Sequence, residues 1–342
     1  MTSGAMRRLV VVVVAFVLVA GGALASCGRA PSSEPAERAA VSDEDRCDPR
    51  RARQCIGNDV VACEPGGTLG RRLQACHDGC ARGRCITTCA DDGARLIYVV
   101  DSANELLSFD PRKLPADPFR RIGRLDCAGR RGPYSMSVDR HGMAWIIYDD
   151  GELFNVSIAD ASCERVAYDP GTTAFRRFGM GFVSDAPGSA SEKLYVSADD
   201  GSHALGAIDL ARGVTPVRIG TLTAAVDRSP ELTGTSEAQL FGFYPVRGQP
   251  SFVQEIDRTT GAPKGRRWLL GTAPLGEVTA WAFAQWAGVF YVFVTSADDN
   301  LALNSTVHAV DRARGTYRVV LEHLPYRITG AGVSTCAPER DQ

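Results

Sequence analysis

Three acidic residues, Asp139, Asp185 and Glu231, stand beside short strand-like segments and are the candidates for catalytic chemistry. Carboxyl groups held about 5–10 Å apart can act as a general acid, a general base or a nucleophile in the hydrolysis of a sugar or a lactone. Local turn chemistry is the alternative, because Asp139 precedes Arg140–Gly142 and Asp185 precedes Ala186–Gly188. The two interpretations differ in whether the three carboxyl groups converge.

Sequence motifs of other enzyme classes are absent from the chain. It contains no Gly-x-Ser-x-Gly, no His-Glu-x-x-His and no phosphate-binding loop. The five histidines are scattered, and His308 lies within a strand-like segment, where we expect a hydrogen-bonded structural histidine. The formal net charge of −2 over 342 residues does not indicate a nucleic-acid-binding protein.

Calcium is the metal that the acidic pairs suggest. Asp149–Gly151, Asp199–Gly201 and Asp298–Asn300 each place two aspartates side by side, and calcium prefers carboxylate and carbonyl oxygens. These segments lack the alternating Asp-x-Asp-x-Asp spacing that wraps one ion. Asp-Gly between two strand-like runs instead predicts a hairpin whose two central residues have positive φ. We therefore expect turns, and neither a metal site nor a cofactor is assigned, with calcium kept as the alternative.

A period of 48 to 54 residues organises the chain from about residue 94 onward. An aspartate closes a strand-like segment at Asp110, Asp160, Asp209, Asp257 and Asp311. The last three continue as Asp-x-x-x-Gly, which suits a reversal between strands. Between these marks, β-branched and aromatic residues alternate with small or polar ones, and there is no long amphipathic helix. A repeat of this length with about four strands is typical of a β-propeller blade.

Each complete repeat begins with a strand rich in small and aromatic residues, as expected beside a crowded central axis. The first repeat lacks this strand, and an additional one stands at the C-terminus with no strands after it, so the two deficits match. We predict an all-β fold over residues 90–342, a five-bladed β-propeller closed by the C-terminal strand, with six blades as the alternative. The predicted inner strands are Tyr134–Val138, Phe178–Phe182, Glu231–Thr235, Ala280–Ala284 and Thr329–Ser334.

The N-terminus has the parts of a secretory signal peptide. Arg7 and Arg8 precede seventeen residues without charge, Leu9–Ala25, and small residues follow. An uncleaved anchor helix is the alternative, since seventeen residues is the lower limit for spanning a bilayer. The segment ends in Leu24–Cys27, which resembles the lipobox of bacterial lipoproteins. That resemblance implies cleavage before Cys27 and a diacylglycerol on its thiol.

The lipobox divides the N-terminal region into two parts. Residues 1–26 are the predicted signal peptide. Residues 27–45 are rich in Pro, Ser, Ala and charge and contain no aromatic residue. Such a segment buries too little apolar surface to offset the cost of ordering its backbone, so we expect a disordered tether.

Seven of the eleven cysteines fall in residues 46–89, where large apolar residues are few. A segment this short and polar cannot build a hydrophobic core, so we predict a disulfide-rich module. Zinc is the alternative, because the pairs Cys76–Cys80 and Cys85–Cys89 approach ligand spacing and His77 lies beside the first. Export into an oxidising compartment favours disulfides.

Cysteine parity supports the same organisation. Without Cys27, ten of the eleven cysteines remain, enough for five disulfides. Cys336 ends the C-terminal strand and Cys89 precedes the strand expected beside it, so we predict a Cys89–Cys336 bond that clasps the closure. Cys127 then pairs with Cys163, although strict up-and-down blades would place these two residues at opposite ends of a blade. Six cysteines pair among themselves in a pattern that stays open: Cys47, Cys55, Cys63, Cys76, Cys80 and Cys85.

The order of lipobox, polar tether, seven-cysteine module and propeller resembles lipoproteins of GC-rich Gram-negative bacteria that carry β-propeller domains. The resemblance covers essentially the whole mature chain and implies no functional residues. It implies export and a lipid anchor in the cell envelope. Gly28 follows the lipidated cysteine where an aspartate would resemble an inner-membrane retention signal, which favours the outer membrane.

Two functions are compatible with these features. The leading hypothesis is a non-catalytic, monomeric binding or scaffold platform that is held at the membrane by its lipid and recognises a protein, glycan or small molecule, and not nucleic acid. The alternative is a lipid-anchored hydrolase of the glycosidase or lactonase kind, calcium-dependent or not. In that case Asp139, Asp185 and Glu231 would meet at the mouth of the propeller channel.

Overall fold

The computed structural model describes residues 46–57, 59–75, 80–81, 84–85, 95–127, 131–169, 174–225, 227–297 and 301–340. The predicted signal peptide, Cys27 and the tether lie outside these residues, as do Cys76, Cys89 and the segment Asp298–Asn300. Within the described ranges, no helix is long and apolar enough to cross a membrane.

The described part of the cysteine-rich segment contains two small antiparallel sheets. One consists of β1 (Arg53–Ile56), β2 (Asp59–Cys63) and β3 (Leu69–Ala75), and the other of β4 (Cys80–Ala81) and β5 (Arg84–Cys85). Few apolar side chains are buried here, chiefly Val60 and Val61. A disulfide joins Cys47 to Cys63, and Cys55 is also disulfide-bonded. Disulfide bonds therefore provide much of the stability that a hydrophobic core would otherwise provide.

From residue 95 onward, the described chain forms five four-stranded antiparallel sheets and a single 3-10 turn at Pro111–Lys113. Each sheet is a meander in which consecutive strands pair. The strands of the five sheets are β9 (Pro133–Val138), β10 (Met143–Tyr148), β11 (Leu153–Ser157) and β12 (Cys163–Arg165); β13 (Phe178–Ser184), β14 (Glu192–Ala198), β15 (Ala204–Ile208) and β16 (Val217–Thr221); β17 (Glu231–Gly234), β18 (Leu240–Tyr244), β19 (Phe252–Ile256) and β20 (Pro263–Leu269); β21 (Glu277–Trp286), β22 (Val289–Ala297), β23 (Leu303–Asp311) and β24 (Tyr317–Leu321); and β25 (Ile328–Val333), β6 (Ile97–Asp101), β7 (Glu105–Phe109) and β8 (Phe119–Arg124).

The C-terminal strand lies in the same sheet as the first three strands after residue 95. β25 pairs antiparallel with β6, with Ile328 opposite Asp101 and Val333 opposite Ile97. Residues beyond β25 then reach other sheets. Thr335 Oγ1 donates to Glu192 Oε2 at 2.7 Å.

The first strands of the sheets pack against one another, and we call them the inner strands. Contacts link β9 to β13, β13 to β17, β17 to β21, β21 to β25 and β25 to β9. These strands approach so closely that a Cβ on Gly181 would lie 2.9 Å from the Thr233 backbone, and one on Gly332 would lie 2.7 Å from Ser137 Cα. Close backbone packing therefore accounts for the small residues of the inner strands.

Large apolar side chains fill the space between adjacent sheets. Phe109 of one sheet meets Phe293 of the next edge-on, with ring centroids 5.3 Å apart, and Phe241 meets Phe290 at 5.0 Å. All four side chains are buried. Since each buried aromatic side chain contributes about 1.5–3 kcal/mol, these layers are the main source of stability.

The Asp-x-x-x-Gly segments reverse the chain between the third and fourth strands of their sheets. In Asp209–Gly213, Asp257–Gly261 and Asp311–Gly315, the glycine N–H donates to the aspartate carbonyl oxygen at 3.1, 2.8 and 2.7 Å. All three glycines have positive φ, which side chains with a Cβ disfavour. The predicted reversals are present.

The Asp-Asp-Gly hairpins have a different geometry from the one expected. Gly151 has a φ of 87° and its N–H donates to Tyr148 O at 2.9 Å, while neither aspartate of this turn has positive φ. The expectation that both central residues adopt positive φ is therefore wrong. Asp150 Oδ1 accepts the Glu152 N–H at 3.2 Å, so the side chain closes the turn in place of the second left-handed residue.

Cys127 and Cys163 form a disulfide between neighbouring sheets. Cys127 follows β8, and Cys163 begins β12, the last strand of the adjacent sheet. Close by, a Cβ on Gly123 would lie 3.1 Å from Ala161 Cβ, so the end of β8 lies on the turn before β12. Because sheets twist, an outer strand crosses toward the next sheet. Cys127 and Cys163 therefore meet, although flat sheets would place them at opposite ends. Cys336 is also disulfide-bonded, and Cys89, its predicted partner, lies outside the described residues.

Candidate functional site

A cavity of about 320 Å³ opens at the end of the sheets where the inner strands begin. Four inner strands contribute residues at or near their first positions, and Arg177 directly precedes β13. Three carboxyl-bearing and three guanidinium-bearing residues line it. The residues used below are Tyr134, Asp149, Arg177, Asp199, Arg228, Glu231, Trp281 and Arg327.

Glu231 is the most deeply buried acidic group of the cavity. Its side chain is 3 % exposed, and Oε2 accepts the Ser135 hydroxyl at 2.7 Å. Burial raises the pKa of the Glu231 carboxyl well above its usual range, and the charge of Asp199 adds to this, against hydrogen bonds from Ser135 and the Met180 N–H. This environment favours the neutral acid, whose O–H is a hydrogen-bond donor.

Arg177 ties the first two Asp-Asp-Gly hairpins together at the rim. Its Nε and Nη2 lie 2.9 and 2.6 Å from Asp199 Oδ2, and its Nη1 lies 3.1 Å from Asp149 Oδ1. The guanidinium also stacks over Tyr134, 4.6 Å from the ring centroid. Burial, helped by Asp199, raises the pKa of the Tyr134 hydroxyl, which is hydrogen-bonded to Asp199. Both rim carboxylates are thus already engaged by the protein.

The opposite side of the cavity carries the other two arginines. Arg228 lies 5.2 Å from the Trp281 ring centroid and pairs with Glu277 at 3.1 Å. Arg327 Nη2 donates to the Thr279 carbonyl at 2.7 Å, and the described residues supply it with no carboxylate. The buried Trp281 Nε1–H has no hydrogen-bond partner within the described part of the chain.

Of the three predicted catalytic candidates, only Glu231 lines this cavity. Asp139 follows the far end of β9 and accepts the His141 N–H, the Met143 N–H and the Trp145 indole, at 2.9, 3.0 and 3.0 Å. Six or seven strand residues separate the two ends by about 20 Å.

Asp185 likewise follows the far end of β13, where it pairs with Lys193 Nζ at 2.6 Å. The three carboxyl groups therefore do not converge, and turn chemistry accounts for Asp139 and Asp185. The physical reason is that the two aspartates follow their inner strands, whereas Glu231 opens one.

Sequence reasoning missed the arginines of the cavity. Arg177 directly precedes β13, Arg327 directly precedes β25, and Arg228 stands three residues before β17. An arginine just ahead of several inner strands was therefore a readable signal. Asp149 and Asp199 were assigned to turns, which is correct, but their side chains also line the cavity.

A second buried carboxyl group lies at the far end of the inner strands. Glu192 accepts the Arg140 N–H at 2.9 Å and the Thr335 hydroxyl at 2.7 Å. Burial raises its pKa to about 6. Ser236 N–H donates to Glu339 at 2.9 Å and Ala287 N–H to the Pro338 carbonyl at 2.7 Å, so the segment after β25 is hydrogen-bonded to three other sheets.

Potential metal ligands and His308 were the remaining candidates for site chemistry. No group of three or more His, Cys, Asp or Glu side chains there is arranged to hold a metal ion. His308 bonds Thr306 through Nε2 at 2.7 Å and Tyr317 through Nδ1 at 2.9 Å. Burial lowers its pKa to about 4, so it is a neutral structural histidine.

No protein-family model matches the sequence, and no curated protein matches it. Among solved structures, the β-propeller domain of Cps50 (Swd1) from Myceliophteria thermophila is 12 % identical, with 82 % of this chain and 86 % of that chain covered and a TM-score of 0.32. The Dos1 propeller is 12 % identical, with 82 % and 80 % covered and a TM-score of 0.35. An exo-β-1,3-galactanase from Phanerochaete chrysosporium is 8 % identical, with 59 % and 52 % covered and a TM-score of 0.41.

Proposed function

We propose that this chain is an exported, lipid-anchored binding protein whose sheets form a closed five-bladed β-propeller and whose channel mouth binds a small polar ligand. The observation that carries the proposal is the cavity at the start of the inner strands. It combines a volume of about 320 Å³, the buried Glu231 carboxyl and the unpartnered Trp281 N–H. A buried polar group without a partner costs about 1–3 kcal/mol, and a ligand that reaches the indole N–H would remove that cost.

The contacts among inner strands support the closed five-bladed arrangement. They run from β9 through β13, β17, β21 and β25 and return to β9. β25 belongs to the sheet of β6, β7 and β8. The N- and C-terminal strands of the propeller would thus pair within one blade. All described strands after residue 95 belong to the five sheets, which favours five blades over six.

Export and anchoring rest on the cysteines. Disulfides such as Cys47–Cys63 and Cys127–Cys163 form and persist in oxidising compartments. The signal-like segment and the lipobox resemblance at Leu24–Cys27 supply the anchor. A lipid on Cys27 would hold the chain at the outer membrane.

A glycosidase- or lactonase-like hydrolase is the alternative, and Glu231 is the observation in its favour. A carboxyl group with a raised pKa is suited to general acid catalysis. Such a mechanism also needs a second, available carboxylate about 5–10 Å away. Asp149 and Asp199 are both bound by Arg177, which makes the binding function the better supported of the two.

The test monitors the indole N–H resonance of Trp281 in the exported chain, assigned by its loss in Trp281→Phe. A library of neutral sugars, carboxylates and amines is added one compound at a time. We expect at least one class to shift this resonance without being converted to product. If no compound of the library shifts the resonance, the binding function is contradicted. If a compound is converted to product, and Glu231→Gln abolishes this conversion, the hydrolase is supported instead.

A further inference from the structure

We propose that the ligand of this cavity is a small organic carboxylate, of about the size of one sugar ring, held through Arg327. The inference rests on the proposed function, since it names the class of molecule that the same cavity takes. It follows from an imbalance between the donors and acceptors that the cavity offers.

Both rim carboxylates are engaged within the protein. Asp149 and Asp199 accept hydrogen bonds from Arg177, and Asp199 is also bonded to Tyr134. Arg177 offsets one of their two negative charges, but the cavity lining as a whole sets three guanidinium groups against these two carboxylates and the buried Glu231.

Arg327 provides charge and donors without a matching acid. A guanidinium group has five N–H donors, and the hydrogen bond to the Thr279 carbonyl uses only one of them. Within the described ranges Arg327 forms no ion pair, although it lines the cavity and is only partly exposed. The planar guanidinium matches a carboxylate through two parallel hydrogen bonds, which are stronger than neutral ones.

Arg228 adds no unpaired charge of its own. It pairs with Glu277 at 3.1 Å, a carboxylate that also lies 3.4 Å from Arg247, and Asp227 Oδ2 accepts the Arg247 N–H at 3.3 Å. Among the described residues at this side of the cavity, Arg327 is therefore the guanidinium group that an anionic ligand would pair with.

Two neutral hydrogen-bond donors add to the excess of donors over acceptors in the cavity. The Trp281 indole N–H is buried without a partner, and the Glu231 carboxyl, when protonated, offers an O–H that Ser135 does not use, since Ser135 is itself the donor in their bond. A ligand with carboxylate and hydroxyl oxygens can accept from both groups, whereas an ammonium group can accept from neither.

The volume limits the size of the ligand. About 320 Å³ is at the lower end of small-molecule sites. A single hexuronate ring or a short hydroxy acid fits within this volume, and a folded partner does not.

The experiment uses the full exported chain and four probes in matched pairs: acetate with acetamide, and D-glucuronate with D-glucose. Within each pair, the carboxylate is replaced by a neutral group of similar shape. Binding is measured from the Trp281 indole resonance. We expect both carboxylates to shift it, and the neutral probes to shift it at least about tenfold more weakly, because a charge-assisted bond contributes about 1.5–3 kcal/mol.

Arg327→Gln is the test variant and Arg247→Gln is its control. Both remove one guanidinium group, but Arg247 is 68 % exposed at the rim and does not line the cavity. Arg327→Gln should weaken carboxylate binding by about tenfold or more, and Arg247→Gln should leave it within about twofold. An unchanged chemical-shift spectrum elsewhere shows that each variant is folded.

Three results would overturn the inference: glucose binding as tightly as glucuronate, neither carboxylate shifting the resonance, or equal carboxylate binding in Arg327→Gln. Neutral probes that bind while carboxylates do not would leave the cavity a binding site and remove only its proposed specificity. The failure of the inference is thereby distinguished from the failure of the proposed function.

Discussion

The Ser135 hydroxyl donates to Glu231 Oε2 at 2.7 Å, and this bond joins two inner strands that are not neighbours. Ser135 lies in β9 and Glu231 in β17, and β13 stands between them. A direct bond between these strands therefore reaches past β13 and holds the carboxyl group at the cavity. The sequence separation of 96 residues makes it one of the long-range contacts on which the cavity depends.

Substitutions at Glu231 should distinguish a neutral from a charged carboxyl group. Glu231→Gln keeps the shape and an acceptor for Ser135, so we expect the free energy of unfolding at neutral pH to change by less than about 1 kcal/mol. Glu231→Ala leaves the Ser135 hydroxyl and the Met180 N–H unpaired and should cost about 1–3 kcal/mol. Urea unfolding measures both, and a Gln variant as destabilised as the Ala variant would show that the native group is ionised.

Glu192 should make stability fall as the pH rises. Its folded pKa of about 6 lies above the ordinary value of 4.5, so between these values the folded chain holds a proton that the unfolded chain has lost. The free energy of unfolding therefore decreases through this window, by about 2 kcal/mol. Glu192→Gln lacks this contribution, so its stability relative to the natural chain should improve by that amount between pH 4 and 7.

Urea unfolding across this pH range measures the Glu192 effect. The control is Glu322→Gln, which changes an exposed carboxyl group. A constant difference between Glu192→Gln and the natural chain over the whole range would contradict the assignment.

Close packing of the inner strands predicts a large effect of one methyl group. A Cβ at Gly181 would lie 2.9 Å from the Thr233 backbone, which cannot rotate away. Gly181→Ala should therefore lower the free energy of unfolding by about 1–3 kcal/mol. The matched control is Gly66→Ala, where a Cβ meets nothing within 4 Å, and equal stability of the two variants would be incompatible with the described packing.

The Cys127–Cys163 disulfide should stabilise the contact between two sheets. Its removal in a Cys127→Ala, Cys163→Ala variant should cost about 2–4 kcal/mol, because the 36-residue loop gains freedom when unfolded. Thermal unfolding measures the loss. A variant as stable as the natural chain would indicate that the interface between the sheets is sufficient alone.

Much of the fold follows from short-range sequence signals. The aspartate marks and Asp-x-x-x-Gly turns are local, so they predict the reversals at Asp257–Gly261 and Asp311–Gly315 directly. The missing strand of the first repeat and the surplus C-terminal strand also predict the pairing of β25 with β6. These features depend on composition and spacing, which the sequence displays.

The cavity was less predictable because it depends on twist and on strand direction. Glu231 and Asp139 both adjoin inner strands, but only the direction of each strand determines that they lie at opposite ends. Arg177 and Arg327 directly precede inner strands, but their position alone does not predict which carboxyl groups or rings they contact. The Cys127–Cys163 pairing looks unfavourable for flat sheets and becomes possible because the sheets twist.

The most direct measurement is a crystal structure of the chain grown with D-glucuronate. We expect the sugar in the cavity at the start of the inner strands, with its carboxylate paired to Arg327 and an oxygen accepting the Trp281 indole N–H. A structure in which that cavity holds only water, while glucuronate is bound elsewhere or not at all, would contradict this expectation.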